Sequence, residues 1–165
     1  MVDVKVFEID DEGVKMIDEI KTILDEVSFQ VSGNRKHLTY DNARPMSMPI
    51  GMVKQLNGTY KLPVLDEWRP DLYPLIRKVI NNYAPHFDYN AGYINKNVQM
   101  IPHKDKNNVD SSIIIGLGDY GGGELNVEGQ KIDIKNRLIE FDGKRHTHWT
   151  EYFTGNRYSI IIYKI

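Results

Sequence analysis

Three short strings in the C-terminal half carry side chains able to do chemistry together. His103-Lys104-Asp105 sets an imidazole and a carboxylate two residues apart, so at a strand end both point to one face. His146 and His148 follow some forty residues later, and one of them could complete two histidines and a carboxylate around a metal. That facial set leaves three coordination positions open, the arrangement with which non-haem Fe(II) takes a bidentate co-substrate and O2. Farther on, Arg157 and Ser159 share a face by the two-residue period of a strand. A guanidinium and a hydroxyl aimed together into a barrel interior are costly to bury unless they bind something. The planar fork suits a carboxylate held bidentately; the alternative is an arginine whose stem lies along the wall while its head reaches the rim.

The elements that must position these groups follow from hydrophobic periodicity. Val4–Ile9 reads as a first strand, and Asp10 and Asp11 offer N-caps for a helix over Glu12–Val27. Its stripe is Val14, Ile17, Ile20, Ile23, Leu24 and Val27. Residues 32–63 read as a long irregular segment punctuated by Gly33, Pro45, Pro49, Gly51, Gly58 and Pro63. Such segments often bind substrate or act as lids, and this one carries Arg35, Lys36, His37, Tyr40 and Arg44. A second helix is expected from Pro70 to Tyr83, burying Leu72, Leu75, Ile76, Val79, Ile80 and Tyr83.

From Phe87 the period becomes two. Strands are expected at Tyr89–Gln99, Ser111–Leu117, Glu124–Val127, Gln130–Ile134, Arg137–Phe141, Thr147–Glu151 and Arg157–Lys164. Turns are expected at Lys106–Asn108, Asp119–Gly123, Glu128-Gly129, Asp142-Gly143 and Thr154–Asn156. The implied class is mostly β with N-terminal helices, a double-sheet jelly roll whose sheets open at one end. The 165 residues make one domain's worth: 1–86 as helical support and substrate loop, 87–165 as the jelly-roll core.

Composition removes several chemistries. With no cysteine, disulfides, thiolate zinc sites, iron–sulfur clusters and cysteine nucleophiles are excluded, so a metal must be held by His, Asp or Glu. Gly121–Gly123 lacks the Lys-Ser/Thr of a phosphate loop, and no serine sits in a nucleophile elbow. No apolar run is long enough for a membrane helix and the start does not read as a signal peptide, so a cytoplasmic protein with no membrane partner is expected. Residues 1–26 hold nine acidic and three basic side chains, leaving 18 basic against 14 acidic in the remainder. That balance permits an anionic partner.

In order, His103-x-Asp105, Gly122-Gly123-Glu124-Leu125, His148 and Arg157-x-Ser159 make a pattern that resembles the Fe(II)/2-oxoglutarate-dependent dioxygenases, over residues 87–165. The resemblance implies a double-stranded β-helix with Fe(II) on His103, Asp105 and His148. The last of these is chosen over His146 because the family's distal histidine stands nine to ten residues before its arginine. It further implies 2-oxoglutarate with its far carboxylate on Arg157 and Ser159, and O2 as the second co-substrate. Hydroxylation of a C–H bond would accompany conversion of 2-oxoglutarate to succinate and CO2. Polar residues on the preceding strand often touch the co-substrate in relatives, which points to Asn95 and to Tyr93.

The longer string His103-Lys104-Asp105-Lys106-Asn107-Asn108 is similar to the TET/JBP branch, which oxidises the 5-methyl group of pyrimidines in DNA. A base in duplex DNA must be flipped out, which takes stacking partners and phosphate contacts. Asn108, Lys104, Arg44 and Trp149 are the substrate candidates, with Lys106, Lys144 and Arg145 at the same mouth. Asn108 could instead brace the Asp105 loop. Two other readings stay open: a protein side-chain hydroxylase of the prolyl type, and a non-catalytic cupin-like binding module.

Overall fold

The computed structural model describes residues 2–40, 44–106 and 108–165. Asn107, in the middle of the Lys106–Asn108 turn, lies outside them, as do 41–43 of the long segment. The first strand, β1 (Lys5–Glu8), leads into α1 (Asp11–Asp25). Asp10 caps α1, its side chain accepting from Gly13 N at 3.0 Å, as the sequence suggests. The stripe buries Ile17, Ile20, Ile23 and Leu24 together with Met16, while Val14 is only half-buried.

The 32–63 segment is more regular than expected. It holds a 3-10 helix at Gly33–Leu38, strand β2 (Met46–Gly51) and a small hairpin, β3 (Val53–Lys54) with β4 (Tyr60–Lys61). Pro49 disguises β2. Proline has no N–H for a ladder, so it is tolerated where a strand has a neighbour on one side only, and β2 ends the large sheet. The second helix is likewise corrected. A short α2 (Val64–Trp68) precedes α3 (Leu72–Tyr83), and Pro70 lies between them rather than in the first turn. Pro74 occupies that turn, where its missing N–H has no partner to lose.

Seven strands follow: β5 (Ala91–Lys96), β6 (Ser112–Gly122), β7 (Leu125–Val127), β8 (Gln130–Ile132), β9 (Arg137–Phe141), β10 (His148–Thr150) and β11 (Phe153–Tyr163). They form a six-stranded sheet in the order β1-β9-β6-β11-β5-β2 and a three-stranded sheet in the order β10-β7-β8. The turns expected at Asp119–Gly123 and Thr154–Asn156 do not interrupt β6 and β11, which pair from Ile113↔Ile162 to Gly122↔Phe153. Their glycines serve a close approach of backbones instead. Gly118 and Gly155 have φ of 116° and 94°, and a Cβ on either would run into a carbonyl of the facing strand.

Two cores result. α1 and α3 cover one face of the large sheet, with Ile94, Ile113, Ile115, Leu117, Tyr158, Ile160 and Ile162 beneath them. The smaller core, Ile114, Leu125, Val127, Ile132, Ile134, Ile139 and Phe141, joins residues of both sheets. The chain therefore has the mixed architecture read from its sequence: a jelly roll buttressed on one side by N-terminal helices. No helix among the described residues is long and apolar enough to cross a membrane.

Candidate metal centre and its cavity

His103, Asp105 and His148 come together with one potential ligand atom each, all within 4.8 Å of one another. Backbone pairing holds the histidines: His103 N donates to His148 O and His148 N to His103 O, both at 3.0 Å. Asp105 is held by its own N–H, which donates to Gly143 O at 2.8 Å. Each ring is also oriented. His103 Nδ1 lies 2.6 Å from Ile101 O and His148 Nδ1 2.9 Å from His146 O. A carbonyl can only accept, so Nδ1 carries the proton on both rings and Nε2 keeps its lone pair.

Those Nε2 atoms stand 3.6 Å and 3.5 Å from Asp105 Oδ1. Burial, then the neighbouring His148, push the His103 imidazole below its ordinary pKa, so it stays neutral and available as a donor at neutral pH. Burial alone would raise the Asp105 carboxyl, but His148 and His103 outweigh it and hold the group below the usual carboxylate range. Two neutral imidazole nitrogens and one carboxylate on a common point fit a first-row divalent ion.

Asn108 is buried behind this set rather than in the cavity. Its Nδ2 donates to Asp105 Oδ2 at 3.3 Å and to Ser112 Oγ at 2.6 Å. It thus braces the carboxylate itself, where the sequence suggested substrate contact or a bond to the loop backbone. His146 points elsewhere, its Nδ1 3.1 Å from Glu128 Oε1. β10 begins only at His148, so strand alternation, which would put both histidines on one face, does not extend back to His146.

Gly143 closes the rear. A Cβ there would overlap Asp105 Oδ2 and stand 2.8 Å from His148 Cε1. Gly143→Ala is therefore expected to weaken binding of a divalent ion roughly 10- to 100-fold, the range for disturbed support of a metal ligand. Titration of the purified variant with Fe(II) under argon checks this.

The cavity in front of the histidines is lined by Arg35, Asn95, Val98, Met100, Ile114, Leu125, Phe141, Trp149, Thr150, Ser159 and Ile161 as well as the three candidate ligands. One wall is a polar row across strands: Ser47 pairs with Asn95, Asn95 with Ser159, and Ser159 with Gly116. Ser47 Oγ donates to Asn95 Oδ1 at 2.7 Å, and Asn95 Nδ2 donates to Ser159 Oγ at 3.2 Å.

Arg157 lies one pleat beyond Ser159 on the same face of β11, 2% exposed. Nε and Nη2 both donate to Gly123 O, at 3.2 and 3.0 Å, and the guanidinium stands 5.6 Å from the ring centres of Tyr120 and Phe153. Burial lowers its affinity for a proton, against Tyr120 and Glu124, yet an arginine stays charged. No carboxylate forms an ion pair with it among the described residues. Tyr120 Oη is buried beside it without a hydrogen bond of normal geometry, close to where a Gly116 Cβ would be.

Among the other sequence candidates, Tyr93 lies under the guanidinium of Arg35, 4.2 Å from ring centre to Cζ. Asn97, expected on the same face as Tyr93 and Asn95, has φ of 54° after the end of β5 and accepts from Arg157 N instead. Trp149 reaches the cavity; Lys104 and Arg44 are exposed and do not line it. Arg35 stood out in the sequence only as one of the cations of the 32–63 segment, and Tyr120 and Gly143 only as members of expected turns, because each meets these partners from another part of the chain.

No family model matches the chain, and no curated protein matches it. Solved structures do. NgTET1 in complex with 5mC DNA aligns over 97% of this chain and 70% of that one, at 12% identity and a TM-score of 0.64. An oxidoreductase of the 2OG-Fe(II) oxygenase family from Burkholderia pseudomallei covers 97% and 84%, at 14% identity and 0.61. A Pseudomonas putida prolyl-4-hydroxylase covers 100% and 94%, at 13% identity and 0.58. The chain has the fold of the 2OG-Fe(II) oxygenases, a double-stranded β-helix, and it carries a His–Asp–His set in the mouth.

Proposed function

We propose that this protein is an Fe(II)- and 2-oxoglutarate-dependent dioxygenase that hydroxylates a C–H bond, with the 5-methyl group of a pyrimidine in DNA as its substrate. The observation that carries the reading is the facial set itself: two imidazoles with their Nε2 lone pairs freed toward one carboxylate oxygen. Iron bound there would supply the activation of O2, coupled to decarboxylation of the 2-oxo acid.

The chain's own residues do the rest. His103, Asp105 and His148 hold the ion and leave one side of it to the cavity. Ser159 and Arg157 take the far carboxylate of 2-oxoglutarate, Arg157 through the N–H groups it does not give to Gly123 O. The Tyr120 hydroxyl, buried beside Arg157, is a third donor there. Asn95 fixes the Ser159 hydroxyl and faces the co-substrate, and Arg35, stacked on Tyr93, lines the cavity. Met100, Ile114, Phe141 and Ile161 are apolar walls, which exclude water from the reacting C–H bond.

Support for a nucleic-acid substrate comes from the mouth. Lys104, Lys106 and Lys144 are exposed on adjoining loops joined by the Asp105–Gly143 backbone bond, and Trp149 offers a ring at the cavity wall. One solved relative of this fold was captured with 5mC DNA. A prolyl-type reading has its own support in the prolyl hydroxylase structures, one of them with a peptide fragment bound, and in the β3–β4 hairpin. That hairpin exposes Leu56, Tyr60 and Leu62.

Succinate formation from 2-oxoglutarate with Fe(II) under air tests the proposal. Stimulation by 5-methylcytosine DNA, with hydroxymethylcytosine as product, is expected. Slow turnover indifferent to DNA moves the substrate to peptides, and no succinate from iron-loaded protein leaves a binding module.

A further inference from the structure

Arg35 is the least settled charge near the candidate metal centre. It reaches the cavity from the 3-10 helix, far from every motif in the sequence. Its Nε is buried with no hydrogen-bond partner, and among the described residues no carboxylate forms an ion pair with it. Stacking on Tyr93 covers a face of the guanidinium but gives the Nε–H no acceptor.

A half-buried guanidinium whose Nε is shut off from solvent, with no anion beside it among the described residues, is unfavourable, and the imbalance grows once the site is loaded. A divalent ion and Arg35 set against the single carboxylate of Asp105 leave the described residues that line the cavity two charges positive. The near end of the dianionic co-substrate removes one of these at the ion, while its far end goes to Arg157. One positive charge is left, and among the described residues Arg35 has no carboxylate paired with it.

From this, and resting on the oxygenase reading above, we infer that Arg35 binds a phosphodiester of a nucleic-acid substrate, next to the nucleotide that enters the cavity. A peptide entering to present a neutral side chain supplies no such anion. A phosphodiester brings one charge and two oxygens suited to a guanidinium edge. The exposed Lys104, Lys106 and Lys144 at the rim continue the same positive track outward, in keeping with a strand laid across the mouth.

The test uses full-length protein loaded with redox-silent Mn(II) and 2-oxoglutarate, and a fluorescein-labelled oligonucleotide carrying one 5-methylcytosine. Anisotropy is read across a salt series for wild type, Arg35→Ala and Arg35→Lys. Arg35→Ala is expected to weaken oligonucleotide binding roughly tenfold or more and to reduce the salt slope by about one. Arg35→Lys should recover part of the affinity, which also shows that the position tolerates change without loss of fold. Calorimetric Kd values for 2-oxoglutarate should stay within about twofold, since the charge-assisted bond lost is not to the co-substrate. Equal oligonucleotide binding by wild type and Arg35→Ala overturns the inference, and so does a loss confined to 2-oxoglutarate. Wild type that binds 2-oxoglutarate but no oligonucleotide overturns the substrate class and leaves the oxygenase. Wild type that binds neither Mn(II) nor 2-oxoglutarate overturns the oxygenase reading itself.

Discussion

Asp105→Ala abolishes iron binding: this is the largest effect expected of any single substitution in the chain. The carboxylate is the only anion in the facial set, so its removal leaves two neutral imidazoles and no charge to offset a divalent ion. It also strips Asn108 Nδ2 of one acceptor. The fall in affinity should exceed the roughly 100-fold ceiling seen when only supporting residues are changed. Anaerobic Fe(II) titration followed by metal analysis after desalting reads it directly. Asp105→Asn separates charge from shape, because it keeps the volume and loses the anion. Iron retained at wild-type affinity by Asp105→Ala would sink the site.

Arg157→Ala is expected to act on the co-substrate and to spare the metal. Each charge-assisted bond to the far carboxylate contributes roughly 1.5–3 kcal/mol, so the Kd for 2-oxoglutarate should rise about ten- to a hundredfold, while Fe(II) affinity stays near wild type. The variant also loses stability. Gly123 O would lose both its donors, and the space between Tyr120 and Phe153 would be left unfilled. Arg157→Lys isolates the recognition effect, since a single ammonium cannot hold Gly123 O and a carboxylate in one planar fork. Calorimetry with Mn(II)-loaded protein, paired with thermal melts, keeps the two consequences apart. An unchanged Kd for 2-oxoglutarate in both variants would remove Arg157 from the co-substrate site.

The groups of the facial set were legible because they lie on short, patterned strings. His-x-Asp and Arg-x-Ser carry the two-residue period that puts both members on one face. What escaped is non-local. Arg35 meets Tyr93 only because the Gly33–Leu38 helix folds back over β5. Gly143 matters through Asp105 and His148, residues of other loops and strands. Fold errors had local chemical causes. Pro49 hid an edge strand, and Gly121, Gly122 and Gly155 imitated turns inside the longest pair of strands. Lys104 and Arg44 look alike in sequence to a cavity-lining cation, and only burial separates them from Arg35.

β11 serves two masters. Its even-numbered residues Tyr158, Ile160 and Ile162 plug the helical core, while Arg157, Ser159 and Ile161 lie on the opposite face, the last two lining the cavity. A one-residue slip would exchange the two sets, sending a guanidinium into the aliphatic layer and isoleucines into the co-substrate's seat. Fold and chemistry are thus written on opposite sides of one ribbon, and any lineage that inserts or deletes a residue there loses both at once. Only the β3–β4 hairpin and the rim loops stand clear of this double duty, so residues there can be exchanged without shifting either layer.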